Sequence, residues 1–110
     1  MICLDKNEAI NDIINNNGLT ILQFGLDSCA PCFSIKYKID NWLNAHPNVT
    51  ARYIPVEDFQ AIAAQNNVFS VPTTILYYQG KEVMRGSRYY SLDELLSKGE
   101  KLLEVMADTL

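Results

Sequence analysis

Apolar positions along this chain change their spacing several times, and each change predicts an element. Ala9, Ile10, Ile13 and Ile14 recur at helical spacing behind Asp5 and Glu8, which have the separation of a capping box, and Asn17-Gly18 supplies a stop. A short strand is expected just before them, at Ile2–Leu4. Leu19–Gly25 (LTILQFG) is a compact apolar run of strand length, as a strand buried on both faces requires. Further on, Ile35, Ile39, Trp42, Leu43 and His46 share one helix face, which Pro47-Asn48 ends. His46, last in that helix, is expected to carry a solvated ring. Val49–Val56 reads as a second buried strand, and Asp58 as the cap of a short helix with Phe59, Ile62 and Ala63 inward.

The second half of the pattern is antiparallel. Thr73–Tyr78, a Gln79-Gly80 turn and Lys81–Arg85 predict a β-hairpin. Ser91 and Glu94 form another capping box, opening a helix with Leu92, Leu95, Leu96, Leu102, Leu103 and Met106 inward and Gly99 as a weak point. The order (β)αβαβαββα predicts an α/β fold: parallel strands from the strand–helix–strand units, antiparallel strands from the hairpin, and helices on both faces. That is a central mixed sheet of four to five strands. With no repeat, linker or low-complexity tract, the 110 residues are expected to form one domain, 1–110.

Composition adds exclusions. The chain is 48% hydrophobic and 20% charged, enough apolar content for a real core. A net charge of -4 argues against a nucleic-acid partner, which would require a basic face. No apolar run approaches the roughly 18–20 residues that cross a bilayer. The opening MICLDKNEAI lacks a basic start followed by a long apolar stretch, so no secretory signal is read and a cytoplasmic location is expected.

The chemistry lies in Asp27-Ser28-Cys29-Ala30-Pro31-Cys32-Phe33. A strand, then this segment, then a helix places Cys29 at a helix N-terminus, where unpaired N–H groups and the helix dipole stabilise a thiolate. Cysteines so placed have pKa values lowered from about 8.5 to roughly 3.5–7.5. Cys32 lies one turn on, near enough to attack a mixed disulfide at Cys29, and Pro31 suits a first turn that needs no N–H from it. A metal site would need two further ligands, and neither Cys3 nor His46 has the spacing of a second pair. A structural disulfide without turnover is the remaining alternative. With three cysteines, Cys3 is left over and reads as an inert thiol. No metal or bound cofactor is implied.

The run TILQFGLDSCAPCFSIKYKID resembles the active-site strand, CxxC and following helix of the thioredoxin family. FSVPTTILYYQGKEVMRG, with Val71-Pro72-Thr73 forty residues past Cys32 and a hairpin ending at Gly86, is similar to that family's cis-proline segment, hairpin and following glycine. The resemblance spans essentially the whole chain in family order. It implies the thioredoxin fold and thiol–disulfide oxidoreductase activity, with Cys29 as nucleophile and Cys32 as resolving thiol. It also implies that Pro72 is cis beside the sulfurs, and that Ala30, Pro31, Val71 and Pro72 meet the substrate. Protein disulfides would be the substrates, a flavoprotein dithiol reductase the electron donor, and the protein a monomer.

Three departures from the family pattern concern modulation. Ser28 and Phe33 replace the usual Trp and Lys that flank the cysteines, which remakes the surface where partners dock. Gln23 stands where the family carries a buried aspartate; its amide can hydrogen-bond but takes no proton, so a slower resolving step is expected. Tyr53 falls near the position of the lysine that often accompanies that aspartate, and Tyr37 at that of the mid-helix proline. The altered lip leaves a rival reading from another class: a thioredoxin-fold binding module that docks on one partner with little turnover.

Overall fold

Every residue of Leu19–Gly25 (β1) is buried, and the fold is built outward from that strand. In this computed structural model, which describes residues 1–108, β1 lies inside a four-stranded mixed sheet. Its parallel neighbour is β2 (Thr50–Pro55), and its antiparallel neighbour is β3 (Thr73–Tyr78). The edge beyond β3 is β4 (Lys81–Ser87), giving the order β2-β1-β3-β4.

Alternation along β1 sorts its side chains into two cores. Leu22 and Phe24 join Ile54, Ile75 and Tyr77 under α1 (Ile10–Ile14) and α3 (Gln60–Gln65). Leu19 and Ile21 join Leu76 under Ile39 of α2 (Ala30–Asn44) and Leu92, Leu95 and Leu96 of α4 (Leu92–Asp108). A strand with a core on each side is apolar at most of its positions, which is why its sequence shows a run rather than an alternation, Thr20 and Gln23 being its buried polar exceptions. The β3–β4 hairpin turns through Gln79 (φ 52°) and Gly80 (φ 82°), the two positive values of a type I′ turn.

Several expected elements differ in detail. Ile2–Leu4 is not a strand of the sheet; Cys3 makes an isolated parallel bridge to Tyr53, with Leu4 N–H donating to Tyr53 and Tyr53 N–H donating to Ile2, each at 2.8 Å. Asp5 and Glu8 close a turn of their own, Asp5 N–H donating to Glu8 Oε1 at 2.9 Å, and α1 starts later behind Ala9 with no side-chain cap. Glu8 is also held by Arg52 of β2, whose Nη2 lies 2.9 Å away. Asp58 caps nothing: it ends a 3₁₀ turn (Val56–Asp58), and α3 opens at Phe59 without a side-chain bond.

At the end of α2, His46 lies two residues past Asn44 and is half-buried. Its ring stacks on Trp42 with centroids 3.9 Å apart, and its Nδ1 donates to the Trp42 carbonyl at 2.7 Å. The solvated ring expected there is a packed one. The second capping box is half made, Glu94 N–H donating to Ser91 Oγ at 3.2 Å. Gly99 is buried in α4 with Trp42 across from it, where a Cβ would make ordinary contact with the indole at 3.5 Å.

Candidate active site

At the carboxyl end of β1 the chain leaves the sheet through Leu26, Asp27 and Ser28, a turn pinned by two hydrogen bonds. Cys29 N–H donates to the Leu26 carbonyl at 3.1 Å, and Asp27 N–H donates to Glu57 Oε2 at 3.1 Å. Cys29 is then the N-cap of α2, extended at φ -97°, ψ 97°. A cap is usually an oxygen that takes up one of the helix's orphan N–H groups. Here the sulfur takes that place, accepting from Cys32 N–H at 3.3 Å. Pro31 lies in the first turn and withholds an N–H that no carbonyl needs.

Cys29 and Cys32 form a disulfide with their Cα atoms 5.3 Å apart. The two sulfurs are not equivalent. Cys29 is half-exposed, whereas Cys32 is 0% exposed. Ser28, Ala30 and Pro31 are exposed around the pair, and Phe33 presents its ring to solvent at 52%. A reagent approaching from solvent meets Cys29 first. On reduction, the N–H that Cys29 sulfur accepts and the start of the helix both favour its anionic form.

β3 returns to the same end of the sheet, since Thr73 pairs with Phe24 in antiparallel register. The Val71–Pro72 bond just before it is cis. Thr73 holds this approach in place, its Oγ1 donating to the Ser70 carbonyl at 2.7 Å and meeting Ser87 Oγ at 3.0 Å. Pro72 is buried and Val71 half-buried. The register thus brings Val71 and Pro72 to the end of the sheet where the disulfide lies.

Behind the disulfide sits Gln23, 0% exposed. Its Nε2 donates to the Cys32 carbonyl at 2.8 Å, while its Oε1 is a buried acceptor with no partner among the described residues. Tyr53 pairs with Gln23 across the β1–β2 ladder, and its ring lies against Gly25, where a Cβ would meet Tyr53 Cζ at 3.0 Å. Lys36 Nζ of α2 lies 5.6 Å from the centre of that ring. Burial raises the Tyr53 hydroxyl above its ordinary value, with Glu57 and Asp27 adding to the effect. Tyr37, 69% exposed, kinks nothing; α2 runs unbroken past it.

The structure also brings forward residues that the sequence did not mark. Arg88 has φ 64°, in the left-handed region, and its N–H donates to the Pro72 carbonyl at 2.7 Å. Its guanidinium lies 6.0 Å from the ring centre of Tyr89, which is 95% exposed. Phe69, three residues before Pro72, is 80% exposed. The only available signal was aromatic residues placed where a core has no use for them. Among the described residues no group of three or more His, Cys, Asp or Glu could hold a metal ion, and no helix is long and apolar enough to cross a membrane.

Comparison with known proteins bears directly on this geometry. Residues 1–100 match the family described as Thioredoxin. The chain is 30% identical to a thioredoxin of Chlamydia trachomatis over 73% of its own length and 78% of that protein. It is 28% identical to thioredoxin-2 of Pyricularia oryzae over 73% of its length, a match that spans 47% of the longer relative. Thioredoxin 1 of Thermosipho africanus superposes with a TM-score of 0.73 at 28% identity, over 80% of this chain and 98% of that one.

Proposed function

Because this chain belongs to the thioredoxin family of protein-disulfide oxidoreductases, we propose that it reduces protein disulfides with Cys29 as the nucleophile and Cys32 as the resolving thiol. The observation that carries the assignment is the asymmetry of the pair. Only Cys29 is open to a macromolecular substrate, and only its sulfur caps the helix.

In the reduced protein, Cys29 thiolate attacks one sulfur of the substrate disulfide. A Cys29–substrate bond forms, the substrate S–S bond breaks, and the other substrate sulfur leaves as a thiolate. Cys32 then gives up its proton, to the departing thiolate or to water, and attacks the Cys29 sulfur. The Cys29–Cys32 disulfide forms and the second substrate thiolate departs. Two electrons pass to the substrate and both of its sulfurs end as thiols. A dithiol donor, on this reading a flavoprotein reductase, returns the two electrons to the pair.

Substrate recognition falls to the rim. No described residue takes the N–H or carbonyl of Val71, so an extended substrate segment can pair there by strand addition, beside Ala30 and Pro31. Pro72 has no N–H to compete with that pairing. Phe33 gives the rim an apolar ring next to the second cysteine, which suits partners that bring apolar rather than acidic contacts. The exposed third thiol, Cys3, fits a reducing compartment such as the cytoplasm, where a monomer carrying a free cysteine stays free of cross-links.

Turbidity from the reduction of insulin disulfides, with dithiothreitol as the donor, tests the reading. The wild-type chain is expected to accelerate it, Cys29→Ser to abolish the acceleration, and Cys32→Ser to accumulate a covalent adduct with insulin. A folded wild-type protein that gives no acceleration, or iodoacetamide labelling of Cys32 before Cys29 at neutral pH, would reject the roles.

A further inference from the structure

The buried acceptor behind the disulfide has an electronic consequence that depends on the redox state. Gln23 Oε1 is fully buried and unpartnered in the disulfide form, while Nε2 of the same amide is held by the Cys32 carbonyl at 2.8 Å. That bond fixes which way round the amide sits, because turning it over would face two acceptors toward each other. A buried acceptor without a donor is destabilising. The oxidised protein carries that cost with no donor at hand, since a disulfide sulfur has no proton to give.

Reduction changes the inventory of donors in this pocket by one. A dithiol donor of low molecular weight delivers two electrons and two protons: the Cys29–Cys32 bond breaks, the donor's own disulfide forms, and each cysteine gains a hydrogen. The Cys29 proton passes to solvent, because that sulfur already accepts from the Cys32 N–H at 3.3 Å and caps a helix. The Cys32 proton has nowhere comparable to go. Its sulfur is buried, and the one unpartnered acceptor among the described buried side chains belongs to the amide that already grips the Cys32 carbonyl.

We propose that Gln23 is a redox-dependent positioning residue: its Oε1, unpaired in the disulfide form, accepts the S–H of Cys32 in the dithiol form. The amide therefore favours the reduced state and keeps the remaining proton on Cys32 while Cys29 is the thiolate. This rests on the assignment of roles above but deepens it, since it explains how two cysteines three residues apart are held in different protonation states. It also differs from an acid–base relay. Gln23 moves no proton; it decides where one rests.

The test is the equilibrium constant for reduction of the pair by glutathione, compared between the wild type, Gln23→Leu and Gln23→Met. Both substitutions remove Oε1 together with Nε2, and Met offers a flexible chain of similar length if Leu packs poorly. A thiol is a weak donor, so the effect is modest. The expected result is a fall of about 5- to 10-fold in the equilibrium constant for reduction. A residue that merely braced α2 would stabilise both states alike and leave the constant where it was.

A second readout observes the bond itself. In a reduced Cys3→Ser, Cys29→Ser background, Cys32 is the sole thiol, and its S–H stretching band is expected to move to higher frequency when Gln23 becomes Leu or Met. A change in the constant below 2-fold, a change favouring reduction, or an S–H band that stays in place would overturn the proposal. None of these depends on protein substrates, so the insulin assay fails or succeeds separately.

Discussion

Replacing Gly86 by alanine should destabilise the fold through a residue that lies four positions away. Gly86 sits in β4 opposite Thr74 of β3, and the ring of Tyr90 folds back over it. A Cβ built on Gly86 would fall inside that ring, with Tyr90 Cβ itself only 2.9 Å away. The Tyr90 hydroxyl shares a hydrogen bond of 2.6 Å with Thr74 Oγ1, and Thr74 is fully buried. Moving the ring therefore exposes part of an aromatic side chain, worth about 1–2 kcal/mol for one that is already half-buried. It also strands a buried hydroxyl, which costs about 1–3 kcal/mol. Alanine recovers roughly 0.5–1 kcal/mol, because glycine is a poor strand residue. The net loss should be about 2–3 kcal/mol, a large part of the roughly 5–15 kcal/mol of a whole domain. Urea unfolding followed by circular dichroism reads it as a lower midpoint at unchanged slope. The same substitution in a Tyr90→Ala background should cost less than about 0.5 kcal/mol, because the obstacle has gone. Equal losses in the two backgrounds would show that the ring is not what glycine accommodates.

Arg88→Gly should stabilise the protein by about 0.5–1 kcal/mol: a left-handed residue with a side chain costs roughly 1–2 kcal/mol, of which glycine's extra chain entropy takes back a part. The melting temperature should rise by a few degrees, and a fall would mean that the contact with Tyr89 outweighs the strain. Glu8→Gln tests the tie between the N-terminal turn and β2. Hydrogen bonds from the Arg52 guanidinium hold the Glu8 carboxyl below its ordinary 4.5 in the folded chain. The stabilisation is complete above that value and is lost as pH falls through the lower folded value. Unfolding midpoints of wild type and Glu8→Gln should therefore differ at neutral pH and converge in acid; a gap that is constant with pH would assign the effect to something other than the carboxylate.

What could be read from the sequence, and what could not, divides by the range of the interaction responsible. β1 shows as a nearly continuous apolar run because it is buried along its whole length, whatever packs against it. The cysteines' place at a helix start follows from a strand, a tight turn and a proline within a few residues. Asp5 and Glu8 carry the capping pattern, yet a guanidinium 44 residues away engages Glu8 and the helix begins elsewhere. Nothing in Ser87-Arg88-Tyr89 announces a left-handed residue, for it is the Pro72 carbonyl that draws Arg88 N–H into that conformation. The two buried polar side chains of β1 show the same division. Thr20 is satisfied by Asn16 Nδ2 at 2.9 Å, a partner four residues back. Gln23 reaches forward to a helix whose position only the folded sheet defines, and there just half of its amide is satisfied. Sequence alone placed a glutamine where a carboxylate was expected. That one of its two polar atoms is left without a donor is a property of the packing, in the same amide whose other polar atom is held by the Cys32 carbonyl.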